Sequence, residues 1–286
     1  MGVNAMGVPI VIGTDGSDEA ARALDWAAAE AVLRERPLHI VHAIESRPNT
    51  TALFARPGTA EPTTRVGRRV LAAAGERVRE RWPDLETTTV LVTGETWQAL
   101  GAESENAFEL VLGSRGLGDF AALRLGSTSL RMAERSTVPV VIVRGDAAEG
   151  GEVLVGIDPV REAGTILDYA FDAAALHGAR LRVVHAWQSL ATFLDAGYAD
   201  VEQIEADLRR AVIAACRPLR GRYPAVDVVD EIVLEHPVTA LSRASREARL
   251  LVVGARDWHW TSPQLGSVSH GVSHHARCPV AVVPSR

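Results

Sequence analysis

Short apolar runs alternate with longer amphipathic segments along the chain. In residues 1–146 this pattern predicts five strands separated by four helices. The runs are continuously apolar, which is typical of strands that helices cover on both faces. We expect strands near residues 9–14, 38–44, 86–92, 108–113 and 139–144, and helices near 18–35, 65–82, 95–106 and 127–136. The order predicts an α/β domain with a doubly wound, five-stranded parallel sheet.

The same pattern occurs a second time in the chain. The segment that begins at Val8 aligns without gaps with the segment that begins at Gly151. Matching positions include the pairs Asp15 and Asp158, His42 and His185, and Gly113 and Gly254. We therefore predict a tandem duplication, with one domain at residues 1–146 and another at residues 151–286. The small, polar residues 145–151 suit a short linker between them.

A glycine-rich loop follows the fourth predicted strand. It places Gly113, Gly116 and Gly126 before the hydroxyls of Ser127 and Thr128, where a helix is expected to begin. Glycines let backbone N–H groups approach an anion, and a helix N-terminus attracts negative charge. In a doubly wound sheet, ligands bind beyond the carboxyl ends of the strands at the topological switch point. The loop is thus a candidate phosphate-binding site.

Three motifs together resemble a universal stress protein domain: the strand ending in Gly13-Thr14-Asp15-Gly16-Ser17, the strand end Val41-His42-Ala43, and the Gly-x2-Gly-x9-Gly-Ser loop. The second half resembles such a domain too, so the whole chain is similar to tandem members of the kind found in actinobacteria. The resemblance implies Rossmann-like domains, ATP with Mg²⁺ as ligand, and a stress-response regulator. By position, the ATP-binding residues would be Gly13, Asp15, Val41, Gly113, Ser114, Arg115, Gly116, Gly118, Gly126, Ser127 and Thr128.

The second half departs from this motif. Asp257 stands where the second glycine is expected, and only eight residues separate it from Gly266. A carboxylate would face phosphate with the wrong charge, and the nearby Trp258 and Trp260 add bulk. We expect strong nucleotide binding in the first half and weak or absent binding in the second.

Composition excludes several classes of function. All 30 basic residues are arginine, so a Walker A lysine, a kinase strand lysine and a pyridoxal Schiff base are excluded. The net charge of −6 argues against a nucleic-acid partner. The sequence contains no 18-residue apolar run and no basic-then-apolar leader, so we expect no membrane contact and a cytoplasmic location. The two cysteines do not form a disulfide framework.

Several single-residue interpretations remain open. Gly116, Gly118 and Ala121 fit the G-x-G-x-x-A dinucleotide fingerprint, but they follow the fourth strand and not the first. Asp15 could instead cap the turn that follows it. His270 and His274 have a spacing that could present a metal, although surface histidines explain it more simply. The matching His42 and His185 favour packing or a backbone hydrogen bond over general base catalysis.

The function also has alternatives at this stage. No residues form a recognisable catalytic set, so we expect ATP binding with, at most, slow hydrolysis. A protein-interaction module of the same fold that binds no nucleotide is the competing hypothesis. Residues 46–64, rich in Pro, Thr and Gly, form a candidate lid. The apolar final strands suggest that the two halves pair along them, and we further expect a homodimer and an unknown regulatory protein partner.

Overall fold

The computed structural model of the protein describes residues 7–45, 63–116, 125–145, 150–159, 163–188, 198–255 and 265–284. The chain divides into two compact units, Met1–Val143 and Arg144–Arg286. None of the helices in the described residues has the length and apolar character needed to cross a bilayer.

The described residues of the first unit alternate strands and helices. The strands are β1 (Ile10–Gly13), β2 (Leu38–Ile44), β3 (Thr87–Thr93), β4 (Glu109–Gly113) and β5 (Val140–Val143). The helices are α1 (Asp18–Leu33), α2 (Thr63–Arg81), α3 (Thr96–Ser104) and α4 (Ser127–Arg135). The predicted elements are all present, with ends shifted by no more than two residues. Thr63 and Thr64 belong to α2, and the rest of the candidate lid lies outside the described residues.

The second unit repeats this order in its described residues. Its strands are β6 (Glu152–Gly156), β7 (Leu181–Trp187), β8 (Val228–Leu234), β9 (Ala248–Gly254) and β10 (Val280–Val283). Its helices are α5 (Gly164–Leu176), α6 (Tyr198–Arg222), α7 (Pro237–Ala244) and α8 (Ser267–His275).

Each unit is built on a parallel sheet. The strand order is β3-β2-β1-β4-β5 in the first unit and β8-β7-β6-β9-β10 in the second. Helix α1 packs beside α2, and α3 packs beside α4, so helices cover both faces of the first sheet. The α/β, parallel-sheet prediction is confirmed. The order of the strands reverses between β1 and β4, which makes their carboxyl ends the switch point.

The register of the first sheet brings three strand ends to one level. Gly13 at the end of β1 lies opposite Val41 on β2 and Leu112 on β4. The middle of the sheet is almost entirely apolar, and every residue of β4 and β5, including Glu109, is buried. Because apolar burial fixes the strands, the loops after β1 and β4 start from rigid positions.

Helix α1 packs closely on this sheet because its buried face consists largely of alanines, together with Leu24. Ser17 caps its N-terminus, where the hydroxyl accepts a hydrogen bond of 3.2 Å from the N–H of Ala20. The next two residues, Asp18 and Glu19, are acidic, which favours the positive end of the helix. The cap therefore fixes where Glu19 stands relative to the end of β1.

Candidate functional site

The loops after β1 and β4 lie side by side at the switch point of the first unit. The N–H of Thr14 donates to the carbonyl of Val41 (2.9 Å), which extends the pairing of β1 and β2 by one residue. The N–H of Ser114 donates in the same way to the carbonyl of Val143 (3.0 Å). The glycine-rich loop and Asp15 therefore begin at adjacent strand ends, as the sequence predicts.

Two glycines at the strand ends are required by close packing. A Cβ on Gly113 would lie 2.9 Å from the carbonyl carbon of Glu19 and 3.1 Å from the nitrogen of Ala20, both backbone atoms. A Cβ on Gly13 would lie 2.7 Å from a methyl group of Leu112. Glycine at these positions lets α1 approach the end of β4, and it keeps the floor of the site open.

Gly116 is required because of the space around it and not because of its φ angle. Its backbone is not in the left-handed region, so its φ angle does not require glycine. A Cβ at this position would instead overlap Oδ2 of Asp15. The other carboxylate oxygen of Asp15 accepts a hydrogen bond of 3.0 Å from the N–H of Ser17. Asp15 therefore caps its turn, as the simpler interpretation holds, and also lines the site.

The N-terminus of α4 forms the opposite wall. The N–H of Gly126 donates to the carbonyl of Ser114 (2.8 Å), which closes the loop on itself. Among the described residues, no side chain caps α4, so the first N–H groups of the helix are directed at the site. The side chain of Ser127 is exposed and that of Thr128 is half-buried. These groups suit an anion.

Ser129 is a structural residue that the sequence analysis missed. Its buried hydroxyl donates to the carbonyl of Gly113 at 2.8 Å and so joins the end of β4 to α4. Ser269 makes the same bond to the carbonyl of Gly254 in the second unit. The recurrence of this serine in both halves was the signal that could have identified it.

A cavity of about 930 Å³ opens between these elements. Its walls combine the apolar side chains of β2, α2 and α3 with the glycines and hydroxyls of the loop and α4. Nine residues of the predicted set line the cavity: Gly13, Asp15, Val41, Gly113, Arg115, Gly116, Gly126, Ser127 and Thr128. Other lining residues include Glu19, Ala43, Val66, Val70, Thr96 and Leu100. Cavities for small ligands typically span roughly 300–1,000 Å³, so this one has room for a nucleoside triphosphate.

One described residue of the predicted set, Ser114, is not part of this lining. Ser114 is buried beneath the loop with 8% of its surface exposed, and its main chain forms the two bonds described above. Gly118 lies outside the described residues, as does Ala121 of the dinucleotide fingerprint.

His42 reaches the cavity from β2, but its ring is already engaged. Its Nδ1 lies 2.6 Å from the carbonyl of Thr14, so Nδ1–H is the donor. The matching His185 makes the same contact to the carbonyl of Ile157 at 3.0 Å. The predicted backbone hydrogen bond is present in both units. The ring holds the turn that carries Asp15.

The Universal stress protein family model matches residues 8–144 and again residues 151–284. The chain belongs to the universal stress protein family. The two matches make it a tandem member, which confirms the resemblance drawn from its motifs.

Relatives in mycobacteria have the same tandem length. Universal stress protein Rv2005c of Mycobacterium tuberculosis is 33% identical over 285 residues, which cover 96% of each chain. A universal stress protein of Mycolicibacterium smegmatis is 32% identical over 301 residues and 97% of each chain.

Solved structures of the family share the fold. A putative universal stress protein from Pseudomonas aeruginosa matches with a TM-score of 0.65 at 20% identity, over 98% of this chain and 95% of its own. A universal stress protein from Archaeoglobus fulgidus matches with a TM-score of 0.63 at 21% identity, over 96% of this chain and 98% of its own. At these identities the likeness supports the fold alone.

The second universal stress protein unit has a smaller cavity at the matching place. Its volume is about 300 Å³, and its lining includes Asp158, His185, Gly254, Gly266 and Ser267. Asp257, Trp258 and Trp260 lie outside the described residues, so the predicted charge reversal is not tested by the structure.

Three described positions differ between the two cavities: Ile166 takes up space, and the other two replacements remove hydroxyl groups. Ile166 stands where the first unit has Ala23, and its Cδ1 methyl reaches within 2.5 Å of where a Cβ on Gly254 would lie. Pro237 and Val268 line the second cavity where Thr96 and Thr128 line the first. The second cavity is therefore narrower and poorer in hydroxyl groups.

Neither cysteine has the properties of a nucleophile. Cys216 and Cys278 are free thiols with 1% and 0% of their surfaces exposed. Burial raises the pKa of Cys216 to about 11 and the pKa of Cys278 to about 12. Both side chains stay protonated at neutral pH and pack as small apolar groups.

Three histidines of α8 lie near one another with tilted rings. The ring centroids of His270 and His274 are 4.6 Å apart, and those of His274 and His275 are 6.5 Å apart. Within the described residues, no three histidine, cysteine or acidic side chains are grouped so that they could hold a metal ion.

Proposed function

We propose that the first unit binds ATP and that the protein acts in a stress response through occupancy of this site. The cavity of about 930 Å³ at the switch point carries the proposal, because it joins an apolar end to an anion-binding end. Val41, Ala43, Val66 and Val70 line the apolar end and suit a purine base.

The phosphate end is supplied by the glycine-rich loop and α4. Gly113, Gly116 and Gly126 leave room for phosphate oxygens beside main-chain N–H groups, and Ser127 and Thr128 add hydroxyl donors. Arg115 adds a positive charge. Mg²⁺ commonly binds through one or two carboxylates and the substrate's phosphates, and the carboxylate of Asp15 lines the same cavity. The residues present thus fit a magnesium nucleotide.

Binding without rapid turnover is the form of activity that we propose. The carboxylates of Asp15 and Glu19 are engaged by the N–H of Ser17 and by Arg115, respectively. Nδ1 of His42 is engaged by the carbonyl of Thr14. A slow ATPase would release more than one product per site in the presence of Mg²⁺, and product formation that stops at one per site would exclude it.

Equilibrium binding of labelled ATP to the full chain tests the proposal. In Gly116→Asp, the new side chain would collide with the carboxylate of Asp15 and bring a negative charge to the phosphate end. We expect this variant to lose at least about tenfold in affinity, because roughly 1.4 kcal/mol of repulsion corresponds to a factor of ten.

The matched control is Gly221→Asp on α6 of the second unit. It adds the same charge at a position with no atom within 4 Å of the new Cβ, so its ATP affinity should equal that of the wild type. If the wild-type protein binds no ATP, or binds it no more tightly than Gly116→Asp does, the protein-interaction module becomes the better hypothesis. Mass spectrometry of nucleotide retained through purification gives an independent answer.

The homodimer and a regulatory protein partner are part of the same proposal. Light scattering on the purified chain with and without ATP measures the first, and a mass equal to one chain in both states would contradict it. Pairing of the two halves along Val140–Val143 and Val280–Val283 stays a prediction.

A further inference from the structure

Charge is scarce in the first cavity. Among its described lining residues, Arg115 is the only arginine, while Asp15 and Glu19 are both acidic. The fixed charges therefore sum to −1 before any ligand enters, which opposes the entry of a polyphosphate. The partner of Arg115 therefore decides how much positive charge is available to a phosphate in this cavity.

Arg115 is paired with Glu19. The Nη2 atom of Arg115 lies 3.2 Å from Oε1 of Glu19, and Glu19 also lies 3.6 Å from Nη2 of Arg22. The Arg115 side chain is 47% exposed and the Glu19 side chain 21%. An ion pair as exposed as this one is weak and exchanges partners readily.

Glu19 is held where a phosphate would compete with it. Its backbone is packed so closely against Gly113 that a Cβ on that glycine would lie 3.0 Å from the carbonyl oxygen of Glu19. The capping bond from the N–H of Ala20 to Ser17 fixes the same turn from the other side. The backbone of Glu19 therefore stays beside the glycine-rich loop, and the more exposed side chain of the pair is that of Arg115.

The position of Arg115 suits the outer phosphates of a bound nucleotide. The apolar walls suited to a base include the end of β2, and Arg115 follows β4, two strand spacings away in the order β2-β1-β4. Neighbouring strands are about 4.8 Å apart, so Arg115 stands roughly 10 Å from the base end. That distance places it beside the outer phosphates rather than beside the ribose.

We infer that Arg115 is paired with Glu19 in the protein without ligand, and that the γ-phosphate of a bound nucleotide replaces Glu19 as its partner. The inference rests on the proposed function and assigns Arg115 and Glu19 as the residues that distinguish ATP from ADP. A phosphate offers a forked arginine more negative charge and more acceptor oxygens than a carboxylate does, so the exchange favours the triphosphate.

Affinities for ATP, ADP and AMP measured by calorimetry on the full chain with Mg²⁺ test this. We expect Arg115→Gln to weaken ATP binding about tenfold and to change ADP and AMP binding no more than about twofold. Glu19→Gln should tighten ATP binding by about three- to tenfold, because it removes a negative charge and releases Arg115. In the double variant the gain from Glu19→Gln should shrink, since no arginine remains to be released.

Arg22→Gln is the matched control, because it removes an exposed arginine that contacts Glu19 but does not line the described cavity. Its ATP-to-ADP affinity ratio should match that of the wild type. An unchanged ratio in Arg115→Gln, or weaker ATP binding in Glu19→Gln, overturns this inference while leaving ATP binding intact. A wild-type protein that binds none of the three nucleotides overturns the proposed function as well.

Discussion

Two serines of α4 that are two residues apart have different tasks. Ser127 has an exposed side chain at the cavity, whereas the hydroxyl of Ser129 is buried and bonded to the carbonyl of Gly113. Removing the second hydroxyl leaves a buried carbonyl without its partner, which typically costs about 1–2 kcal/mol. Removing the Ser127 hydroxyl should leave the fold intact and remove a hydrogen-bond donor from the proposed phosphate end.

We therefore expect Ser129→Ala to lower the free energy of unfolding by about 1–2 kcal/mol and Ser127→Ala to leave it unchanged while weakening ATP binding. Thermal unfolding and calorimetry measure the two effects. Ser269→Ala removes the equivalent bond in the second unit, so it should destabilise the protein without changing ATP affinity. Equal stability of the Ser127 and Ser129 variants would contradict the assignment.

At the scale of single residues, the sequence predicted which residues lie together but not the role of each. The spacing of Gly113, Gly116 and Gly126 was enough to place them at one cavity. It could not distinguish a glycine needed for its φ angle from one needed for space, and Gly116 is of the second kind because of Asp15. The Arg115–Glu19 pair joins residues 96 positions apart, which no local pattern reveals.

At the scale of elements, Asp25 links α1 to α2. Its carboxylate accepts hydrogen bonds from Arg77 (2.7 Å) and Arg81 (2.6 Å). Burial alone would raise the pKa of Asp25, but the hydrogen bonds and charges of the two arginines outweigh it, and the pKa lies below its ordinary value. The matching Asp168 has a longer contact of 3.4 Å to Arg222, whose side chain is 67% exposed.

Asp25→Asn should therefore destabilise the protein by about 1 kcal/mol at pH 7, a value kept small because both arginines are largely exposed. The folded-state pKa of Asp25 is lowered, so its stabilisation is present above the unfolded-state pKa and disappears as pH falls through the folded-state value. Urea unfolding at pH 7 and near pH 3 should show the difference from wild type shrinking in acid. Asp168→Asn is the control, and an equally large loss there would contradict the comparison.

The sequence predicted the elements well because the strands β1, β4 and β5 are short, mainly apolar runs. The burial of β4 and β5 along their whole length is what that pattern requires. Side-chain links between helices were not predicted, since Asp25, Arg77 and Arg81 each resemble ordinary surface residues in the sequence. Their pairing depends on how α1 and α2 approach each other on the sheet.

For the whole molecule, the two units imply unequal sites. The second cavity is about 300 Å³ against about 930 Å³ in the first, and Ile166, Pro237 and Val268 replace smaller or hydroxyl-bearing residues. We expect one ATP per chain in native mass spectrometry, and a smaller fraction of nucleotide-bound chains in Gly116→Asp at the same ATP concentration. Two nucleotides per wild-type chain would show that the second unit is also a full site.

The same serine hydrogen bond joins α4 to the end of β4 and α8 to the end of β9, so hydrogen exchange at the starts of these two helices can be compared. Ser129 and Ser269 make the same bond although the sequences that precede the two helices differ. A change in temperature affects both helix starts, whereas a ligand of the first unit is expected to slow hydrogen exchange at α4 only. The difference in hydrogen-exchange rate between the amides of α4 and α8 in one sample would therefore report ligand binding, because effects common to both helices cancel.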